Sequence, residues 1–199
     1  MSSAVRSRAL TGLAALALAA ALGGCALFPG LPPETFNLSA PASVPGRGST
    51  DAQILVEEPV AIATYDTERI VVREGAVLSY YPLVQWADRL PVLIQTLTVE
   101  TLANTGRARA AGRPGEGLSV DYALLTEVRA FEYDALTGTA RVDLFVRIMD
   151  DRNGRIVATR RFQSQRLVAA DSPGGVVTAL DLTLQDVLSE VVVWTFDRI

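Results

Sequence analysis

The chain has 199 residues, 22 acidic and 18 basic side chains, no histidine and a formal net charge of −4. Every basic residue is arginine, so a Ser-His-Asp triad, a Ser-Lys dyad, a lysine Schiff base and a phosphate-binding P-loop are all excluded. A zinc site would have to be all carboxylate, mild acidity argues against nucleic acid, and the length suits one domain with a real core.

The N-terminal stretch carries Arg6 and Arg8, then an apolar run from Leu10 to Leu22, then Leu22-Gly23-Gly24-Cys25. That order resembles a secretory signal ending in a bacterial lipobox. The apolar run is about half of the ~20 residues a spanning helix needs. The expectation is a signal peptide over 1–24, removed so that Cys25, the only cysteine, becomes the lipidated first residue. Residues 25–33 then form a Pro-rich tether, whose eight residues after the cysteine reach at most ~26 Å at about 3.3 Å each. Ala26, rather than aspartate, follows the cysteine, which favours the outer membrane over the inner. The predicted location is the cell envelope, facing the periplasm.

Residues 34–199 read as one domain. Glu34 to Leu38 is a predicted strand, and Ala40 to Thr50 a Pro/Gly/Ser loop. Ile54 to Val60 is a second strand. Arg69 to Arg73 and Val77 to Tyr81 form a hairpin around Glu74-Gly75-Ala76. A helix is predicted from about Trp86 to Ala103, with Leu90, Leu93, Ile94 and Leu97 on one face. Arg107 to Gly117 reads as a loop, whose Arg107, Arg109 and Arg113 face solvent or anionic head groups.

The clearest β signal follows. Val120, Tyr122, Leu124, Val128 and Ala130 alternate with polar residues, as do Ala140, Val142, Leu144, Val146 and Ile148. A tight turn at Asp151 to Gly154 leads into a strand from Arg155 to Leu167. A closing helix starts either at Ser172-Pro173 or one turn later at Thr178, Gly174-Gly175 weakening the first choice. Its stripe runs through Val177, Leu180, Leu184, Val187, Leu188 and Val191, and Trp194 and Phe196 pin its end to the sheet. Val192 and Val193 widen the stripe, as core or as a homo-oligomer interface. The fold class is α+β: one mostly antiparallel sheet with two helices packed on one face.

Several of these segments together resemble the ABC-type transport auxiliary lipoproteins (the PqiC-like family). The segments are the lipobox, Phe36-Asn37-Leu38, Tyr65 to Arg73, Trp86-Ala87-Asp88-Arg89-Leu90 and Phe131-Glu132. The resemblance runs over about 34–197, with Phe36 where a tyrosine is common. It implies a non-enzymatic role without cofactor or metal. Partners would be an MCE-domain substrate-binding protein with an ABC permease and ATPase, which move lipids or other apolar solutes across the envelope, and the membrane through the lipid anchor.

The residues chosen as a partner-binding set are Tyr65, Asp66, Arg69, Arg73, Trp86 and Arg89. Arginine offers planar, bidentate contacts and tryptophan is frequent at interface hot spots. The competing readings are a solvated strand with local ion pairs, and for Trp86 a plug between helix and sheet. The rival function is an outer-membrane assembly or secretion accessory of the pilotin type. A carboxylate-pair hydrolase is a distant third.

Overall fold

The computed structural model describes residues 32–199; the expected signal peptide, Cys25 and the expected tether as far as Leu31 lie outside the described residues. Among the described residues nine strands and two helices follow in order: β1 (Glu34–Phe36), β2 (Thr50–Val56), β3 (Val60–Ala61), β4 (Arg69–Glu74), β5 (Val77–Trp86), α1 (Leu90–Asn104), β6 (Ala108–Gly112), β7 (Tyr122–Asp134), β8 (Thr139–Asp150), β9 (Arg155–Leu167) and α2 (Pro173–Phe196). All nine strands belong to one open sheet.

Strand β7 is its axis. One edge pairs with β8 in a long antiparallel ladder, from Tyr122↔Asp150 to Asp134↔Thr139. β9 continues that meander along β8. The other edge takes three strands in succession, all parallel to it: β2 at Ile54↔Tyr122, β3 at Val60↔Glu127 and β4 at Val71↔Glu132. β5 returns antiparallel along β4, and β1 adds beside the end of β5 at Glu34↔Val84. The long ladders are antiparallel, as expected; the short parallel ones come from segments whose polar patterns gave no direction.

Both helices cover one face of the sheet and touch each other. Helix α1 buries Leu90, Leu93, Ile94 and Leu97, the face anticipated from the spacing. Its buried threonines Thr98 and Thr101 donate to carbonyls four residues back, Ile94 O at 2.6 Å and Leu97 O at 2.5 Å, which satisfies their hydroxyls within the helix. Buried Gln95 donates to the Val56 carbonyl at 2.9 Å and ties the helix to β2.

The start of α2 is settled by steric contact. Ser172 is the N-cap, accepting from Gly175 N at 3.2 Å, and Pro173 occupies the first turn. A Cβ on Gly175 would stand 2.1 Å from the Ala170 carbonyl oxygen, so the glycine that weakened this start is required by it. Thr178 does not cap; its hydroxyl donates to the Gly174 carbonyl. Of the two residues that widen the stripe, Val192 is fully buried and Val193 only partly so. Trp194 meets Phe162 of β9 edge-on at 5.4 Å.

Three expectations need correction. The loop after α1 contains a strand, β6, parallel to β2. Two of its three arginines are engaged: Arg107 donates to the carbonyls of Gly48 and Arg47 and stacks on Phe196, and Arg113 donates to Thr96, while Arg109 is exposed, as expected of a solvated position. Trp86 ends β5, and the helix begins only at Leu90. β7 does not alternate throughout: a bulge at Arg129 shifts the register between Val128↔Leu144 and Ala130↔Asp143. Beyond it Phe131 faces the core and Glu132 the opposite side, so a polar side chain enters a layer that the pattern reserved for solvent.

Strand β5 carries an irregularity of its own. Its pairing with β4 jumps from Val71↔Tyr80 to Arg69↔Gln85, and the extra residues bulge out. Among the described residues, Leu83 within this bulge is the one non-glycine residue at positive φ, 58°, a conformation costing on the order of 1 kcal/mol or more.

Candidate functional site

The side of the sheet away from the helices is expected to be wet, yet Glu132 on β7 and Asp143 on β8 are almost wholly buried there. The segment from Ile62 to Glu68, between β3 and β4, reaches Glu132 through Tyr65. Its turn is closed by Tyr65 N and Asp66 N bonding to the Ile62 carbonyl. Tyr65 is thereby buried, and its hydroxyl donates to Glu132. Arg73 on β4 grips the same carboxylate side-on, Nε at 2.6 Å and Nη2 at 3.0 Å. Arg141 stands 3.6 Å from Glu132 and donates to Asp143 at 3.2 Å. Arg161 on β9 completes a second fork, with Nε 2.9 Å and Nη2 2.5 Å from Asp143. Two buried carboxylates and three partly exposed guanidiniums thus form one chain across β4, β7, β8 and β9.

The electrostatics follow from that arrangement. Burial first, then the bond to Glu132, pushes the Tyr65 phenol up to about 12, so it is a hydroxyl donor over the whole physiological range. The bond to Glu132 holds the Arg73 guanidinium protonated, well above its ordinary range. The fork from Arg161 outweighs burial and holds the Asp143 carboxyl below its ordinary range. Bidentate pairs of this kind are geometrically specific, and removing one partner strands the other.

The six residues chosen from the sequence fall into three places. Tyr65 and Arg73 meet on Glu132. Asp66, next to Tyr65, accepts from Arg89 Nε at 2.8 Å, and Arg89 also pairs with Glu58 at 3.1 Å; this trio is exposed, and such pairs contribute little stability. Arg69 lies over the Tyr80 ring at 4.0 Å. Trp86 is in the core, edge-on to Phe131 at 5.8 Å between ring centroids. Tyr80 and Tyr81, successive on β5, are both half-buried.

Glu132, Asp143, Arg141 and Arg161 were not chosen from the sequence as site residues. The available signal was the recurrence of Glu or Asp beside arginine on adjacent strands of the meander. A cleft of about 260 Å³ opens beside this network, lined by Arg141, Gln163, Ser164 and Gln165. A separate cleft of about 420 Å³ lies between the end of β9 and the start of α2, lined by Leu167, Ala170, Gly175 and Leu182 among others and by no acid. Among the described residues no group of three or more His, Cys, Asp or Glu side chains stands ready to hold a metal, and no helix is long and apolar enough to cross a membrane.

Comparison with known proteins gives a consistent answer. The family described as ABC-type transport auxiliary lipoprotein component matches residues 35–192. The crystal structure of protein XCC0632 from Xanthomonas campestris, of family DUF330, superposes with a TM-score of 0.76 at 26% identity, covering 82% of this chain and 95% of that one. A second solved structure, at 13% identity, shares the fold with a TM-score of 0.66 and covers 81% of this chain and 97% of its own. Protein bll6063 of Bradyrhizobium diazoefficiens is 29% identical over 164 residues, or 81% of this chain. The chain spans only 44% of that relative's length.

Proposed function

Because the chain belongs to the ABC-type transport auxiliary lipoprotein family, we propose that it is a non-enzymatic, lipid-anchored docking component of an MCE/ABC-type envelope transporter for lipids or other apolar solutes. In this reading Cys25 carries the anchor, in the outer membrane, and residues 34–199 form the docking domain. The domain holds the periplasmic MCE-domain component near the membrane, and the permease and ATPase complete the machine.

The observation that carries this reading is the clamp on Glu132. Tyr65 and Arg73 converge on one buried carboxylate. They fix the segment that presents Asp66, which pairs on the exposed surface with Arg89 from the start of α1, and Arg89 in turn with Glu58. A surface pre-organised in this way loses little entropy on association, and a charged rim steers and orients a partner more than it adds affinity. The network suits holding better than proton transfer. The Tyr65 phenol, at about 12, is a poor general acid or base near neutral pH, where matched pKa values are needed.

The test is an affinity pull-down of the tagged, lipidated protein from detergent-solubilised envelopes, with mass spectrometry of what is recovered. An MCE-domain protein with its permease and ATPase is the expected result. The paired exchange Asp66→Arg with Arg89→Asp keeps an internal ion pair while inverting the rim, and should abolish recovery. Recovery of a β-barrel or secretion component without any MCE protein would favour the pilotin-type rival and sink the proposal.

A further inference from the structure

The edge formed by β1 and β5 has properties that neither the core nor the clamp requires. From Gly75 to Ala87 the chain carries no charged side chain, although a fifth of all its residues are charged. Among the described residues β1 pairs with β5 only at Val84, Gln85 and Trp86, and no other described strand lies along that edge from Val77 to Leu83. Along it Val77 is 63% exposed and Leu83 59%. Tyr80, Tyr81 and Pro82 lie between them, and Leu136 from the β7–β8 turn stands against Gly75.

Leu83 is the informative residue. It sits at φ 58°, where glycine or asparagine is comfortable and a bulky side chain is strained. It buries little of its side chain against its own domain. Neither backbone preference nor packing accounts for a leucine there, and an outlier of this kind points to a role outside the fold. The path of the chain identifies what lies outside. Glu34, which follows the nine-residue segment Cys25 to Pro33, is in register with Val84, one residue from Leu83. That segment reaches at most ~30 Å, so the surface around Glu34 is the one brought to the membrane.

We infer that the β5 bulge, Tyr81-Pro82-Leu83, together with Val77 is a membrane-contact edge that rests in the lipid interface beside the anchor. The inference rests on the lipidation of Cys25. The chemistry fits: tyrosine rings sit well at the headgroup level with an apolar body and a polar tip. Arg69, with its guanidinium over Tyr80, stands where it can meet lipid phosphate while its stem covers apolar surface. Contact on this edge leaves the far edge of the sheet, β9, turned away from the bilayer.

The test exploits the lone native cysteine. Once Cys25 is acylated, Leu83→Cys supplies a unique thiol for a polarity-sensitive dye, with Pro82→Cys as a second variant should the first misfold. Gln163→Cys, exposed on β9, serves as the distant control. Full-length lipidated protein is reconstituted into phosphatidylethanolamine–phosphatidylglycerol vesicles and isolated by flotation. The expected result is blue-shifted emission at position 83 or 82, with most of it quenched by doxyl-labelled lipid, and water-like emission at 163. Floating vesicles with water-like emission at 82 and 83 overturn the contact edge and leave the anchor intact. Protein that does not float overturns the anchor, and the inference with it. A blue shift that persists in detergent, rises with protein concentration and escapes doxyl quenching means that a second copy or a partner covers the edge, and also overturns it.

Discussion

The clamp on Glu132 makes an asymmetric prediction about two substitutions of one ion pair. Glu132 has no exposed side-chain surface, whereas 28% of the Arg73 side chain reaches solvent. Arg73→Ala therefore leaves a buried carboxylate with only the Tyr65 hydroxyl and the more distant Arg141. Stranding a buried charge costs ~3–5 kcal/mol, and Arg141 together with water entering by Arg73's path brings the expectation to about 3 kcal/mol. Glu132→Gln removes the buried charge, keeps the shape and leaves Tyr65 an acceptor, while Arg73 turns to water. Its cost is that of the lost charge-assisted bonds, about 2 kcal/mol. Once residue 132 is an amide, adding Arg73→Ala should cost only about 1 kcal/mol more, so the pair is coupled by roughly 2 kcal/mol. Urea unfolding followed by the fluorescence of the buried Trp86 and Trp194 reads this directly. A loss of about 3 kcal/mol lowers the midpoint by on the order of 1–2 M. The reasoning is refuted if Glu132→Gln costs as much as Arg73→Ala, or if the double substitution is additive.

Three further outcomes follow from the same geometry. The folded Tyr65 phenol titrates near 12 against an ordinary 10.0, so its contribution is complete below pH 10 and is lost as pH rises through about 12. Stability measured against pH in that window should fall for the wild type and lose this component in Tyr65→Phe. Asp143 is depressed by Arg161, so its contribution is complete above the ordinary aspartate range and is lost as pH falls through and below it; Asp143→Asn should flatten the acid limb of the stability profile. Gly175→Ala pushes a methyl into the Ala170 carbonyl and should cost about 1–3 kcal/mol, as overpacking does, whereas Gly174→Ala, with open space around it, should be far milder in the same thermal melt.

The meander and the helices were legible because their signals are local. Alternation in Ala140 to Ile148 marks one buried face of β8, and the spacing of Leu90, Leu93, Ile94 and Leu97 marks the buried face of α1 without any knowledge of what lies opposite. β6 was missed because Ala-Arg-Ala-Ala-Gly lacks the β-branched and aromatic residues that signal a strand; it is a strand because β2 offers it an edge. Trp86 reads as part of the helix because only Ala87, Asp88 and Arg89 separate it from Leu90, and a first turn tolerates such residues; the pairing with Phe36 is what holds it in β5. The carboxylate network was hidden for two reasons. The bulge at Arg129 swaps the faces of β7 midway, so Phe131, Glu132 and Tyr133 are all buried in succession. The cover over Glu132 comes from the Ile62–Glu68 segment, far upstream, and only the folded chain brings the two together.

The double use of β7 also sets an order of assembly. The β7–β8–β9 meander closes through short turns and can form early, since local contacts require little loop closure. β2, β3 and β4 precede β7 in the chain, yet each needs its edge as a template: Ile54 waits for Tyr122, and Val71 waits for Glu132. As the chain emerges from its N-terminus, the apolar β4–β5 hairpin therefore stands without its partner strand until residues up to Asp134 have followed. Exposed hydrophobic surface and unpaired strand edges are the features that make folding intermediates aggregate. The interval before β7 arrives is thus the point at which this protein most needs a holding chaperone, and slowing the emergence of residues 122–134 should lower its yield without altering the stability of the molecules that succeed.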